Sequence, residues 1–326
     1  MRVASLVALL TATVALAGCA GAQPPLPGGE TAVQPPRPVG VQDPAVIPSA
    51  SAGPPASCDP RASFQPAASL PAPGRMPSGS AMDRIVQRGR LIVGVDQNNY
   101  LFGFRDPLTG ELTGFEISLA RTIASALFGD DRHIQFRTLS AADRIKAIQD
   151  GTVDIVVRAM TMTCDRWNEV AFSTEYLSAG QRILVRADSR VDGLDDLAGR
   201  KVCAAVASTS IRNVANANPP VVPVAAVNAL DCLVLLQQNQ VDAVSTDDSI
   251  LAGFAAQDPN TKVVGPRFSE EPYGIAMRKD AIDLVRFVNG VLARMRADGT
   301  WAALYRRWLA DALGATASPP VARYRD

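Results

Sequence analysis

Val202-Cys203-Ala204-Ala205-Val206, Val221-Val222-Pro223-Val224 and Val241-Asp242-Ala243-Val244-Ser245 are three short, mostly apolar runs. The segments that follow them, 210–217, 228–238 and 248–256, read as helices. Strands and helices alternating at this spacing predict an α/β architecture with largely parallel sheets. The same grammar recurs upstream. Leu91-Ile92-Val93-Gly94-Val95 is a buried strand ended by Asp96, and Phe115, Leu119, Ile123 and Leu127 mark one helix face. A strand at 134–136, a helix at 141–149 that stops near Gly151, and a strand at 153–157 complete that section. Two closing helices, 281–297 and 301–310, are broken by Asp298-Gly299. Extended stretches at 181–186 and 271–277 separate the sections. Two lobes joined by two crossings is the economical arrangement.

The first quarter of the chain is a different material. Of 24 prolines, 15 fall between residues 20 and 80. Before them, an apolar run from Val3 to Gly18 has the dimensions of a signal-peptide core rather than of a membrane span. Leu16-Ala17-Gly18-Cys19 matches the bacterial lipobox, which makes Cys19 the expected lipidation site. The Pro/Ala-rich stretch after it buries too little apolar area to offset chain entropy, so a disordered tether is expected. The domain expectation is therefore a lipoprotein signal peptide at 1–18 and a lipid-anchored tether at 19–82. Lobe 1 comprises 83–182 and 270–312, lobe 2 is 183–269, and 313–326 is a C-terminal tail. The protein would sit on the extracytoplasmic face of the cell membrane, held there by its lipid anchor alone.

Composition excludes several functions. Lys+Arg and Asp+Glu both number 32, so no broad field draws nucleic acid. His133 is the one histidine and reads as an exposed loop residue; His-based zinc sites need more. No phosphate-cradling glycine loop or nucleophile elbow is present, and no metal or other cofactor is implied. Besides Cys19, four cysteines in an exported chain predict two disulfides, with three possible pairings. Cys203 and Cys232 lie on nearby elements of one section, which favours Cys203–Cys232 and leaves Cys58–Cys164.

The stretches that carry chemistry lie just past strand ends, where α/β sheets build ligand crevices. Arg158-Ala159-Met160-Thr161-Met162-Thr163-Cys164-Asp165-Arg166 gathers hydroxyls and guanidinium groups suited to a carboxylate. Ser208-Thr209-Ser210 opens a helix and also suits an anion. Thr246-Asp247-Asp248 offers a carboxylate to an ammonium group. Tyr100 and Phe102, after Asp96, are candidates for the cleft wall, whereas Trp301, Tyr305 and Trp308 recur at helical spacing and read as packing residues.

Taken together with Ala141-Ala142-Asp143-Arg144-Ile145, Gly151-Thr152-Val153-Asp154, Phe172-Ser173-Thr174-Glu175-Tyr176 and Asp231-Cys232-Leu233, these stretches fall in a known order. Over 83–310 the chain resembles the polar amino-acid-binding proteins of ABC importers, in particular the glutamate/glutamine-binding lipoproteins. The resemblance implies a two-lobed, periplasmic-binding-protein-like fold that closes on its ligand by a hinge, and it supports the Cys203–Cys232 pairing. It implies that Arg166 clamps the ligand α-carboxylate with Thr161, Thr209 and Ser210, and that Asp247 takes the α-amino group. It places Arg144 and Asp96 at the ligand side chain, and Arg158 is an extra guanidinium that either faces the ligand there or is a surface charge. Asp96 stands where some acidic-ligand binders carry Arg, which leaves room for Gln or Asn beside Glu and Asp. The implied partners are an amino-acid ligand and the permease of an ABC importer, served by a monomer that is not an enzyme. The competing readings are a sensor lipoprotein signalling to a membrane partner such as a kinase pathway, and a dehydratase-like enzyme on the same fold.

Overall fold

The computed structural model describes residues 35–47, 58–314 and 317–326. Cys19, the expected lipidation site, lies outside them.

Each lobe is built on a five-stranded sheet. In lobe 1 the order is Ile134–Thr138, Leu91–Val95, Ile155–Val156, Ala276–Arg278, Val170–Phe172. In lobe 2 it is Val222–Ala226, Lys201–Ala205, Ala243–Asp247, Gln181–Arg186, Thr261–Val264. The first three strands of each sheet run parallel, and the fourth is antiparallel to its neighbours. In both sheets that fourth strand follows directly after a crossing between the lobes. The crossings themselves pair as a short antiparallel ribbon, Leu177–Ala179 against Glu271–Tyr273. This ribbon is the hinge. Glycine is required beside it, because a Cβ on Gly180 would meet the Ser269 carbonyl at 2.7 Å.

The lobe 2 strands alternate between two cores. Leu184, Cys203 and Val244 face one cluster, while Ile183, Val185, Val202, Ala204 and Ala243 face the other. A sheet covered on both faces needs strands that are apolar throughout, which is why residues 202–206 and 221–224 carry no polar side chain other than a cysteine. Lobe 1 has one continuous core that takes in the closing helices Ile282–Ala297 and Thr300–Trp308. Trp301 is buried there, edge-on to Phe115 and stacked on Tyr305. Trp308 lies at the margin of that core and donates from its indole to Ser118 Oγ. His133 sits exposed, stacked on Phe128.

Both expected disulfides are present. Cys203–Cys232 bridges strand to helix within lobe 2, with Cα atoms 5.5 Å apart. Cys58–Cys164 spans 6.0 Å on lobe 1. Each contributes about 2–4 kcal/mol by restricting the unfolded chain.

The expected boundaries need correction at both ends. Residues 58–82 are not tether. Ala62–Ser63 forms a parallel pair with Arg323–Tyr324, so the C-terminal tail is not free either. Ser63 Oγ donates to the Phe172 carbonyl at 2.6 Å, and Trp167 Nε1 to the Pro60 carbonyl at 2.8 Å. Residues 37–47 lie along the outer edge of the lobe 2 sheet, where Gln42 bridges Ala225 and Ala45 N–H donates to the Pro223 carbonyl. Proline-rich chain is extended already, and an extended chain can be added to a sheet edge at little entropic cost. Composition averaged over the segment concealed the few residues that dock, among them Phe64, Leu70 and Met76 on lobe 1. A small three-stranded sheet, Asn98–Asn99, Gly103–Arg105 and Leu112–Thr113, was also not anticipated. Among the described residues, no helix is long and apolar enough to cross a membrane.

Candidate functional site

Parallel strands of both sheets end at the interlobe face, and the loops that follow them line one cleft. The cavity left between the lobes is about 40 Å³, so the lobes stand nearly closed. Its wall brings together Asp96, Arg144, Arg158, Thr161 and Arg166 from lobe 1 with Thr209, Ser210 and Asp247 from lobe 2. Tyr100 does not line this cavity; its ring packs edge-on to Phe104, and its carbonyl stands 2.7 Å from the position a Cβ on Gly253 would take. Phe102 is not on the cleft wall. It is fully buried in the lobe 1 core against Phe115, because the turn after Asn99 rotates it inward.

Arg166 belongs to the short helix Cys164–Trp167, whose cap is Thr163. Its Nη1 donates to the Thr161 carbonyl at 2.7 Å. Burial, with Arg212 nearby, lowers its pKa to about 10, so it remains a cation at neutral pH. Arg144 is buried too, held by the carbonyls of Ala141, Arg158 and Ala159 at 2.9, 3.2 and 3.2 Å. No carboxylate is in salt-bridge contact with it among the described residues. Burial, with Arg166 and Arg158 beside it, holds the guanidinium well below its ordinary pKa. A negative group placed next to it would relieve that penalty.

Asp96 and Arg158 neutralise one another, with Oδ2 and Nη2 2.7 Å apart. The other oxygen of Asp96 accepts from the N–H groups of Gln97 and Asn98. Asp247, at the end of strand Ala243–Asp247, accepts through Oδ2 from the Tyr273 hydroxyl. Its Oδ1 is buried without a hydrogen-bond partner. Burial, then the nearby Glu271, raises the Asp247 pKa to about 8. A buried carboxylate with one idle oxygen is a receptor for a cation.

The two threonines behave differently from expectation. Thr161 Oγ1 donates to Glu271 Oε2 at 2.6 Å, and Thr209 Oγ1 donates to the same oxygen at 2.7 Å. Each hydroxyl has a single proton, so while these bonds last both present only acceptor lone pairs to the cavity. Ser210 Oγ stands 3.2 Å from Thr246 Oγ1.

Four residues here were missed from sequence. Glu271 and Tyr273 come from the hinge. Asn99 lines the cavity with a buried amide oxygen that has no partner. Glu116 is fully buried and accepts from the Ala159 N–H at 2.6 Å and from the Tyr176 hydroxyl. That bond holds Ala159 at φ 37°, in the left-handed region, with its carbonyl on Arg144. Burial raises the Glu116 pKa to about 6. A glutamate within an apolar helical run was the available signal.

A hinged pair of α/β lobes enclosing a cleft with a buried guanidinium on one wall and an idle carboxylate oxygen on the other defines a solute-binding protein. The chain belongs to the bacterial extracellular solute-binding proteins of family 3, whose model matches residues 91–311. That is a family of binding proteins rather than enzymes. It is 35% identical over 228 residues to the glutamine-binding protein of an ABC transporter from Bacillus subtilis, covering 70% of this chain and 84% of the relative. It is 31% identical to a glutamate-binding protein from Corynebacterium glutamicum, over 70% of this chain and 80% of that one. Among solved structures, an ancestral arginine-binding protein bound to glutamine matches with TM-score 0.63 and 36% identity, covering 68% of this chain and 98% of that chain.

Proposed function

We propose that the protein captures an acidic amino acid, L-glutamate or L-aspartate ahead of their amides, and delivers it to the permease of an ABC importer. The charge inventory of the cavity wall carries this reading. Asp96 and Arg158 cancel each other. A ligand α-carboxylate would face Arg166, assisted by Ser210, and the α-ammonium would face Asp247 Oδ1. Thr161 and Thr209, turned to accept, fit the ammonium side better than the carboxylate side. Among the described residues Arg144 is then the one buried cation without a counter-charge, and a carboxylate side chain supplies it. The carboxylate of Asp96 would repel such a side chain if it were unpaired, but Arg158 offsets it. Asn99 adds an amide that serves a carboxylate or an amide equally.

Calorimetry of the protein with Glu, Asp, Gln and Asn tests the reading. Wild type should bind the acids more tightly, and Arg144→Ala should lower the Glu-to-Gln affinity ratio by about tenfold or more. An unchanged ratio would remove Arg144 from the side-chain site. Equal losses for all four ligands would move it to the shared α-carboxylate.

The anchor forms part of the same proposal. Cys19, following Leu16-Ala17-Gly18 at the end of the apolar run, would carry the lipid that keeps the binding lobes at the membrane. Metabolic labelling with palmitate should mark wild type and not Cys19→Ala. Equal labelling of both would reject the lipid assignment.

A further inference from the structure

The hinge ribbon contains a buried carboxylate to which the ligand reading assigns no contact with the ligand. Glu271 is 2% exposed and sits at the start of hinge strand Glu271–Tyr273, opposite Ala179. Its Oε2 accepts from Thr161 of lobe 1 at 2.6 Å and from Thr209 of lobe 2 at 2.7 Å. Its Oε1 accepts from Ser269 Oγ at 2.7 Å and Asn213 Nδ2 at 3.3 Å. Among the described residues no arginine or lysine forms a salt bridge with it. The charge is therefore held by four donors drawn from both lobes and the hinge between them. Such an arrangement survives only while the lobes are together, since separation takes Thr161 and Thr209 apart and leaves a buried anion short of partners.

The other direct polar contacts between the lobes near this point are weaker. Arg166 Nη2 reaches the Ala207 carbonyl at 3.4 Å, and the Arg212–Asp165 pair is 3.7 Å apart and largely exposed. Two residues along the same strand, and so on the same face, Tyr273 donates to Asp247. The hinge strand thus sets two side chains against cleft residues, Glu271 on Thr161 and Thr209 and Tyr273 on Asp247.

We infer that Glu271 is a positioning residue: it latches the two lobes in the closed arrangement, and it fixes the hydroxyl protons of Thr161 and Thr209 so that both face the ligand as acceptors. The second half rests on the ligand reading above; the first does not. Closure held by a latch slows escape of a bound ligand more than it changes the encounter rate, so the effect belongs to the dissociation rate.

Two measurements on the full-length protein test it, with Glu271→Ala and the near-isosteric Glu271→Gln. In ligand-free small-angle scattering, Glu271→Ala should have a larger radius of gyration than wild type. In stopped-flow with L-glutamate, its dissociation rate should rise about tenfold or more, with association changed by less than about threefold. Glu271→Gln keeps one oxygen between the threonines and should fall between the two, and it serves as the readout if the alanine variant does not fold. A lower melting temperature with unchanged radius and dissociation rate in both variants would make Glu271 merely structural and overturn the inference. Because scattering needs no ligand, an altered radius without L-glutamate binding would sink the ligand reading and leave the latch standing.

Discussion

Arg166→Ala is expected to weaken every amino-acid ligand by at least about tenfold, whatever the side chain. All α-amino acids present the same carboxylate, and a charge-assisted hydrogen bond contributes roughly 1.5–3 kcal/mol. The guanidinium is 6% exposed and already fixed by the Thr161 carbonyl, so little ordering remains to be done when a ligand arrives. Its loss would also leave the ligand carboxylate in a closed cavity without a counter-charge. Arg166→Lys should recover only part of the affinity, because an ammonium offers no planar fork to two oxygens. Calorimetry against Glu, Gln and Asp separates this outcome from that of Arg144→Ala. A loss confined to the acids would mean that the two arginines have been assigned the wrong way round.

Affinity should climb about tenfold per pH unit between pH 6 and 8 and level off above that. The cause is Asp247, whose pKa burial raises to about 8 in the ligand-free protein. An α-ammonium pairs with the ionised carboxylate, so binding below pH 8 must release a proton, and that release weakens it. Glu116 titrates lower, near 6, so the upper half of the window belongs to Asp247. Asp247→Asn should bind about tenfold or more weakly at pH 8 and lose the slope. An Asn variant with the wild-type slope would place the titrating group elsewhere. Stability runs the opposite way. An unfolded Asp has its pKa near 3.8, so from about pH 4 to 8 the folded state holds the extra proton. The stabilisation from that proton is complete below pH 4 and is lost as the pH rises through 8, so the ligand-free protein should melt at lower temperature at pH 8 than at pH 5.

That Arg166, Thr161, Ser210 and Asp247 gather at one cleft was legible because of how parallel sheets are made. The 158–166 stretch, Ser210 and Asp247 are far apart in the chain, yet each lies at or soon after the end of a strand, and parallel strands end along one edge. Reading strand ends was therefore enough to collect them. Glu116 and Glu271 escaped that reading for opposite reasons. Glu116 lies inside a helix, where a charged residue is usually a solvated one. Glu271 lies in an extended stretch, and its partners Thr161 and Thr209 are 110 and 62 residues away. For Glu116 the apolar run around it was the one local signal, and for Glu271 there was none. Phe102 was misread in the other direction, since an aromatic residue near a candidate site looks the same whether the turn points it into the cleft or into the core.

Alternation of apolar runs and helical segments determined the α/β class, the two lobes and their two crossings, because these follow from periodicity and order along the chain. Cysteine placement carried the disulfide pairs for the same reason. Which end segments dock was decided only in three dimensions, since 37–47 and 58–82 have the composition of a tether and differ from one only by meeting an exposed sheet edge or a core. The direction of each hydroxyl proton, the pairing of Asp96 with Arg158 and the isolation of Arg144 were likewise decided by tertiary structure. A residue type states which charges and donors are available, but whether two of them cancel depends on angstrom-scale separation and on how much water the closed lobes exclude.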